Sequence, residues 1–92
     1  MEFQKEENRI FAEDAGGKLL AEIVFPETEP GVFTIRRTFA DGSLRGQGVA
    51  ARLVLMAVEE IEARGGEVRA TCSYAADWLK RRPSPDSAGR QG

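Results

Sequence analysis

Apolar and polar positions alternate along the first part of this chain, and the rhythm then lengthens to one apolar residue every three or four positions. The alternation predicts strands and the longer rhythm a helix, because those are the spacings that put apolar side chains on one face. Residues 3–6 and 9–13 are short alternating runs parted by Glu7-Asn8, a tight-turn signal. Asp14-Ala15-Gly16-Gly17 marks a second turn, after which residues 18–25 (KLLAEIVF) carry strand formers up to Pro26. Residues 27–31 hold Pro and Gly and predict a loop. Residues 32–39 (VFTIRRTF) predict one further strand. Strict alternation puts Phe33, Ile35 and Arg37 on one face, with Val32, Thr34, Arg36 and Thr38 on the other.

From residue 48 to 64, Ala50, Leu53, Val54, Ala57, Val58 and Ile61 recur at helical spacing, with Arg52 and Glu59 opposite and Glu60/Arg64 as a favourable pair. Gly65-Gly66 is a helix stop. Residues 67–71 predict a short strand and residues 73–80 a second helix, with Ser73 as its N-cap and Trp78 and Leu79 as apolar anchors. Composition then turns to Pro, Ser and Gly, so residues 1–82 are expected to form one domain and 83–92 a disordered tail. The predicted order is β-β-β-β-α-β-α. Its fold class is α+β, an antiparallel meander followed by one right-handed parallel β-α-β crossover and a C-terminal helix.

Composition narrows the chemistry. The 92 residues suffice for one small core. A net charge of −2 argues against a nucleic-acid or membrane partner, and no apolar run is long enough to span a bilayer. The N-terminus lacks the pattern of a signal peptide, so a reducing, cytoplasmic setting is expected. One cysteine, Cys72, and no histidine leave no Cys/His metal site and no intramolecular disulfide. Any acid–base work would fall to Cys, Tyr, Asp, Glu, Lys, the substrate or water.

The stretch SLRGQGVAARLV, residues 43–54, leads two glycines and an arginine into the start of the long helix. A helix N-terminus offers unpaired N–H groups and a partial positive charge, and glycine lets a ligand approach the backbone. The loop therefore predicts an anion site, against the alternative of a simple reversing turn. It is not a Walker A loop, since Val49-Ala50 stand where Lys-Ser/Thr is needed. Gly46-x-Gly48-x-x-Ala51 matches the dinucleotide fingerprint by letter. However, Asp41-Gly42-Ser43 separates it from the preceding strand, and no acidic residue ends the next one.

Arg45-x-x-Gly48-x-Ala50 resembles the pyrophosphate loop of the GNAT acetyltransferase superfamily. Together with the amphipathic helix, the short strand and Cys72-Ser73-Tyr74-Ala75, the chain resembles its small single-domain members over roughly residues 18–83. The resemblance implies a truncated GNAT-like fold that binds acetyl-CoA, with Phe39, Arg45, Gly46, Gln47, Gly48, Val49 and Ala50 at the cofactor. It also implies transfer of an acetyl group to an unidentified amine, in an acceptor pocket left open or completed by a protein partner. Cys72 would be a nucleophile or line the pocket, and Tyr74 would protonate the departing thiolate or pack on Trp78. Similar proteins often carry histidine where this chain has Arg37, and the chain has no histidine, so a Cys–His pair is excluded. Arg37 could still stabilise a thiolate or bind an acidic group. A non-catalytic acyl-CoA-binding or regulatory module is the competing expectation, and an interaction domain whose loop binds nothing is a third.

Overall fold

The computed structural model describes residues 2–81. Seven short strands form: β1 (Gln4–Glu6), β2 (Arg9–Glu13), β3 (Leu19–Val24), β4 (Glu27–Glu29), β5 (Val32–Ile35), β6 (Arg37–Ala40) and β7 (Glu67–Ala70). A 3-10 turn (Gly42–Leu44) leads to helix α1 (Val49–Ala63), and helix α2 (Ser73–Arg81) follows β7. The expectation for residues 83–92 lies outside the described residues.

The strands belong to two sheets, ordered β1-β2-β3-β6 and β4-β5-β7. The first is antiparallel throughout, while β5 and β7 run parallel on either side of the α1 crossover. The antiparallel meander and single parallel crossover expected from the sequence are therefore present. Two segments differ from expectation. Residues 27–31 were expected as a loop, but Glu27–Glu29 pairs with β5 as β4, with Gly31 turning at φ 77°. The single strand expected over 32–39 is divided at Arg36 between the two sheets.

The division is a β-bulge. Arg36 N–H donates to the Val24 carbonyl at 3.0 Å, and Val24 is also the register partner of Arg37, so two residues stand opposite one. The bulge advances the side-chain alternation by one position. Phe33 and Ile35 point into the core, and after Arg36 the inward residues are Thr38 and Ala40, in register with Ile23 and Ala21. Arg37 and Phe39 face outward with Glu22 instead. Strict alternation had placed Arg37 beside Phe33 and Ile35, where a permanent cation would be buried without a partner. The bulge removes that conflict.

The core lies between the inner sheet faces and α1, whose Val49, Leu53, Val54, Ala57, Val58 and Ile61 are buried against Ile10, Ile23, Phe25 and Ile35. This is the expected stripe with one shift: Val49 is buried, whereas Ala50 is half-exposed. The end of α1 is tied to the β1–β2 turn by Arg64, which donates to Asn8 Oδ1 at 3.0 Å and to the Glu7 carbonyl. The same guanidinium lies over the rings of Phe25 and Phe33 at 5.7 and 5.3 Å. Cys72 is the N-cap of α2, not Ser73, because Ala76 N–H donates to the Cys72 carbonyl at 2.9 Å.

Candidate active site

The glycine loop follows β6 through a chain of tight turns. Asp41 opens it by accepting from Ser43 N–H (3.0 Å) and Ser43 Oγ (2.7 Å), which holds its carboxyl below the usual range, and Lys18 stands 3.7 Å away. Leu44, Arg45 and Gln47 N–H then donate back to Asp41, Gly42 and Leu44 carbonyls. Gly46 and Gly48 take φ of 83° and 69°, in the left-handed region that suits glycine. Gly48 is the N-cap of α1 and brings no side chain to the orphan N–H groups of the first turn. Among the described residues, a Cβ at either glycine would meet nothing within 4 Å, so the space above the loop is open.

That space is a cleft of about 260 Å³. Among the residues expected at the cofactor, Arg45, Gly46, Gly48, Val49 and Ala50 line it; Gln47 and Phe39 do not. Ala40, Asp41, Gly42 and Leu44 complete the near wall, and Tyr74 forms the wall from α2. Phe39 lies on the outer sheet face, under Arg37 at 5.3 Å. Arg45 is exposed, and the one carboxylate in the lining, Asp41, is already engaged by Ser43 and Lys18. An anionic ligand fits this chemistry.

Among the described residues, β6 has one free edge. It ends the first sheet beyond β3, and β7 leaves its neighbourhood when Thr71 and Cys72 N–H both converge on the Ile35 carbonyl at 3.0 and 3.3 Å. The two strands flanking the crossover thus separate beyond Ile35, and Cys72 stands at their fork. Asp41 N–H donates to Leu20 O, and antiparallel pairs alternate, so Arg37 and Phe39 turn their backbone groups to β3. Thr38 and Ala40 turn theirs to the free edge.

Cys72 is half-buried against the core. Burial pushes its thiol up, but the polar groups around it, from Ala75, Thr38 and Tyr74, outweigh this and hold it below the ordinary thiol range. Arg37, the cation expected to assist, is bound to Glu22 at 2.9 Å on the outer face. Tyr74 is 44% exposed, its side chain toward the cleft. The structure thus brings Tyr74 to the glycine loop and sets Cys72 beside it at the root of α2. Thr38 is a member of this group that sequence alternation misses. The available signal was Arg37 itself, a charge falling on an apolar face.

This arrangement, a bulged strand parting from its parallel neighbour ahead of a glycine-loop helix, defines an acyl-CoA N-acyltransferase type of fold. Residues 9–87 match the family model described as GCN5-related N-acetyl-transferase. The chain belongs to the GCN5-related N-acetyltransferase family. Among solved structures it is similar to a GCN5-like protein from Staphylococcus aureus assigned as an N-acetyltransferase, at 29% identity and TM-score 0.73, over 87% of this chain and 78% of that one. An IAA acetyltransferase from Bacillus cereus matches at 24% identity and TM-score 0.61, over 78% and 51% of the two chains. Glucosamine-6-phosphate N-acetyltransferase from Arabidopsis thaliana matches at 14% and 0.57, over 85% and 63%, and these two show the fold alone. The chain spans about half, or somewhat more, of those two larger enzymes. No curated protein matches it in sequence.

Proposed function

We propose that this protein binds acetyl-CoA and transfers its acetyl group to an amine. The observation that carries the reading is the glycine-capped start of α1 opening into a cleft that Tyr74 shares, at the end of a strand with a free edge. The pyrophosphate would sit on the N–H groups after Gly46 and Gly48, with Arg45 as counter-charge. The amide-bearing pantetheine arm would add to the free edge of β6 as a strand does, through Thr38 and Ala40. Bound there, acetyl-CoA supplies an activated thioester near the fork. Tyr74, which lines the cleft, would give its phenolic proton to the leaving sulfur as the amine takes the acetyl group and loses a proton to solvent. Cys72 would either line the pocket or accept the acetyl group first, its thiolate attacking the carbonyl and expelling the CoA thiolate, after which the amine takes the acetyl group and frees the cysteine thiolate. A free thiol held acidic fits a reducing, cytoplasmic setting.

A second reading is favoured by one observation. There is no histidine in the chain, and Arg37 is committed to Glu22. Such a site could hold acetyl-CoA without turning it over, as a binding or regulatory module. Calorimetry with acetyl-CoA tests both readings, and absence of binding at millimolar ligand defeats both. Release of CoA across a panel of amines separates them. Turnover above hydrolysis that falls in Tyr74→Phe supports transfer with Tyr74 as acid. Binding with no turnover supports the module. Full activity in Cys72→Ala reduces the thiol to packing.

A further inference from the structure

The bulge at Arg36 also decides where two cations stand. Ile35 points into the core, and Thr38 is the next residue to do so, in register with buried Ile23. Arg36 and Arg37 lie between them, both opposite Val24, so both side chains turn to the outer face, and both are exposed. Strict alternation would have sent one of them inward. Two guanidinium groups side by side on one face repel each other, and an anion seated between them relieves the repulsion.

Neighbouring carboxylates do not supply that anion. Glu22 receives Arg37 at 2.9 Å and Arg9 at 2.6 Å, so one carboxylate serves two guanidinium groups. On β7, Arg69 holds Glu67 and Glu29. Among the described residues, Arg36 has no ion-pair partner. The pair stands at the vertex of the fork, because β5 is paired with β7 up to Ile35 and β6 belongs to the other sheet. Exposed Thr71 stands at the level of Arg36, one step beyond the Ile35–Ala70 register pair. On the inner side, Ala40, Ala70 and Cys72 pack against a core that includes Val49 and Leu53 of α1 and Ala75 of α2. The helices therefore close that side. An acceptor coming to a thioester at the fork is left the outer side, past Arg36, Arg37 and Thr71.

We propose that the acceptor is an amine that also carries an anionic group, a carboxylate or a phosphate, held by Arg36, Arg37 and the Thr71 hydroxyl at the outer mouth of the fork. The inference rests on the acetyl-transfer reading of the site and names its substrate class. Guanidinium groups bind either anion through paired N–H donors, and a hydroxyl adds one more. With the anion fixed, the amine end is left to attack. The N–C bond forms and the C–S bond breaks, the sulfur leaves with a proton, and the surplus proton of the nitrogen goes to solvent. A neutral amine lacks this anchor.

The test is CoA release from acetyl-CoA by the full chain with two matched pairs of amines, γ-aminobutyrate against n-butylamine and phosphoethanolamine against ethanolamine. In each pair the anionic amine is expected to give a kcat/KM about tenfold higher, the order of selectivity that a charge-assisted hydrogen bond supplies. The pair with the larger ratio distinguishes carboxylate from phosphate. Arg36→Gln should bring the ratio close to one, and Arg36→Lys should retain part of it. A ratio of one in both pairs with the wild type, or a ratio that Arg36→Gln leaves unchanged, overturns the proposal. A binding measurement separates it from the transferase reading: the amide resonances of Arg36, Arg37 and Thr71 are followed by NMR as each amine is added to the CoA-bound protein. Shifts with the anionic amines alone, in a protein that releases no CoA, remove transfer and uphold the anion site. Absence of those shifts overturns the anion site, and CoA release in that same protein leaves the transferase reading standing.

Discussion

Glu22 sits at the centre of the outer sheet face and binds two guanidinium groups, Arg9 at 2.6 Å and Arg37 at 2.9 Å. Desolvation pushes its carboxyl up, but the bonds from Arg9 and Arg37 outweigh this and leave it below the usual glutamate range. The folded value is depressed, so the contribution to stability is complete above the unfolded value and fades as pH falls through the folded one. Glu22→Gln is expected to cost about 1 kcal/mol at neutral pH, since Arg37 is largely solvated. Urea unfolding at a series of pH values checks this: the difference from wild type should shrink toward strongly acidic pH. A constant difference would mean that charge is not the cause. A second residue-scale case is Gly48, whose φ of 69° strains any side chain. Gly48→Val should lose about 1–2 kcal/mol of stability and most of the affinity for acetyl-CoA in calorimetry. Retained affinity would remove the loop from the cofactor site.

At the scale of elements, the helices, the meander and the crossover were legible because each rests on a repeated pattern. Leu53, Val54, Ala57, Val58 and Ile61 recur at helical spacing and are all buried. The split of residues 32–39 was not legible as a split. One extra residue at Arg36 leaves composition and propensity unchanged, and only the partner strands reveal it. The cost of missing it was the phase of everything after it, including which way Thr38 and Phe39 point. Arg45, Gly46, Gly48, Val49 and Ala50, singled out by the loop's pattern, and Tyr74, singled out by the family resemblance, do line one cleft, whereas Thr38 was not singled out because its place depends on the bulge in β6. The seam between α1 and β7 shows a related contact that spacing cannot show. Gly65-Gly66 reads as a helix stop, yet a Cβ on Gly66 would lie 2.8 Å from Phe33 Cδ1 and Cε1. Gly66→Ala should therefore push the ring off its seat and cost about 1–3 kcal/mol. Gly16→Ala is the control, since its Cβ would meet only Asp14 Oδ1, at an ordinary 3.5 Å. Equal melting temperatures for the two variants would contradict the contact.

At the scale of the whole molecule, the two sheets share the core but part at the fork, and the free edge of β6 runs from that fork to the glycine loop. A ligand long enough to touch both ends would tie the loop, β6 and α2 together. Acetyl-CoA at a hundredfold excess over its Kd should stabilise the fold by about 2.7 kcal/mol, because it binds the native state alone. Its path leaves a separate trace. Ala40 turns its N–H to the free edge and lines the cleft, so its amide exchange should slow when the arm adds as a strand. Phe39 is the internal comparison, since its N–H faces β3 and is paired before any ligand arrives. Hydrogen exchange with and without acetyl-CoA then distinguishes two geometries that thermal stabilisation alone cannot. Protection at Ala40 together with the loop places the arm along β6 and directs the thioester to Cys72 and Tyr74. Protection confined to residues 46–50 would mean that the loop holds the pyrophosphate while the arm leaves the sheet, and the fork could then not be where the acetyl group is transferred.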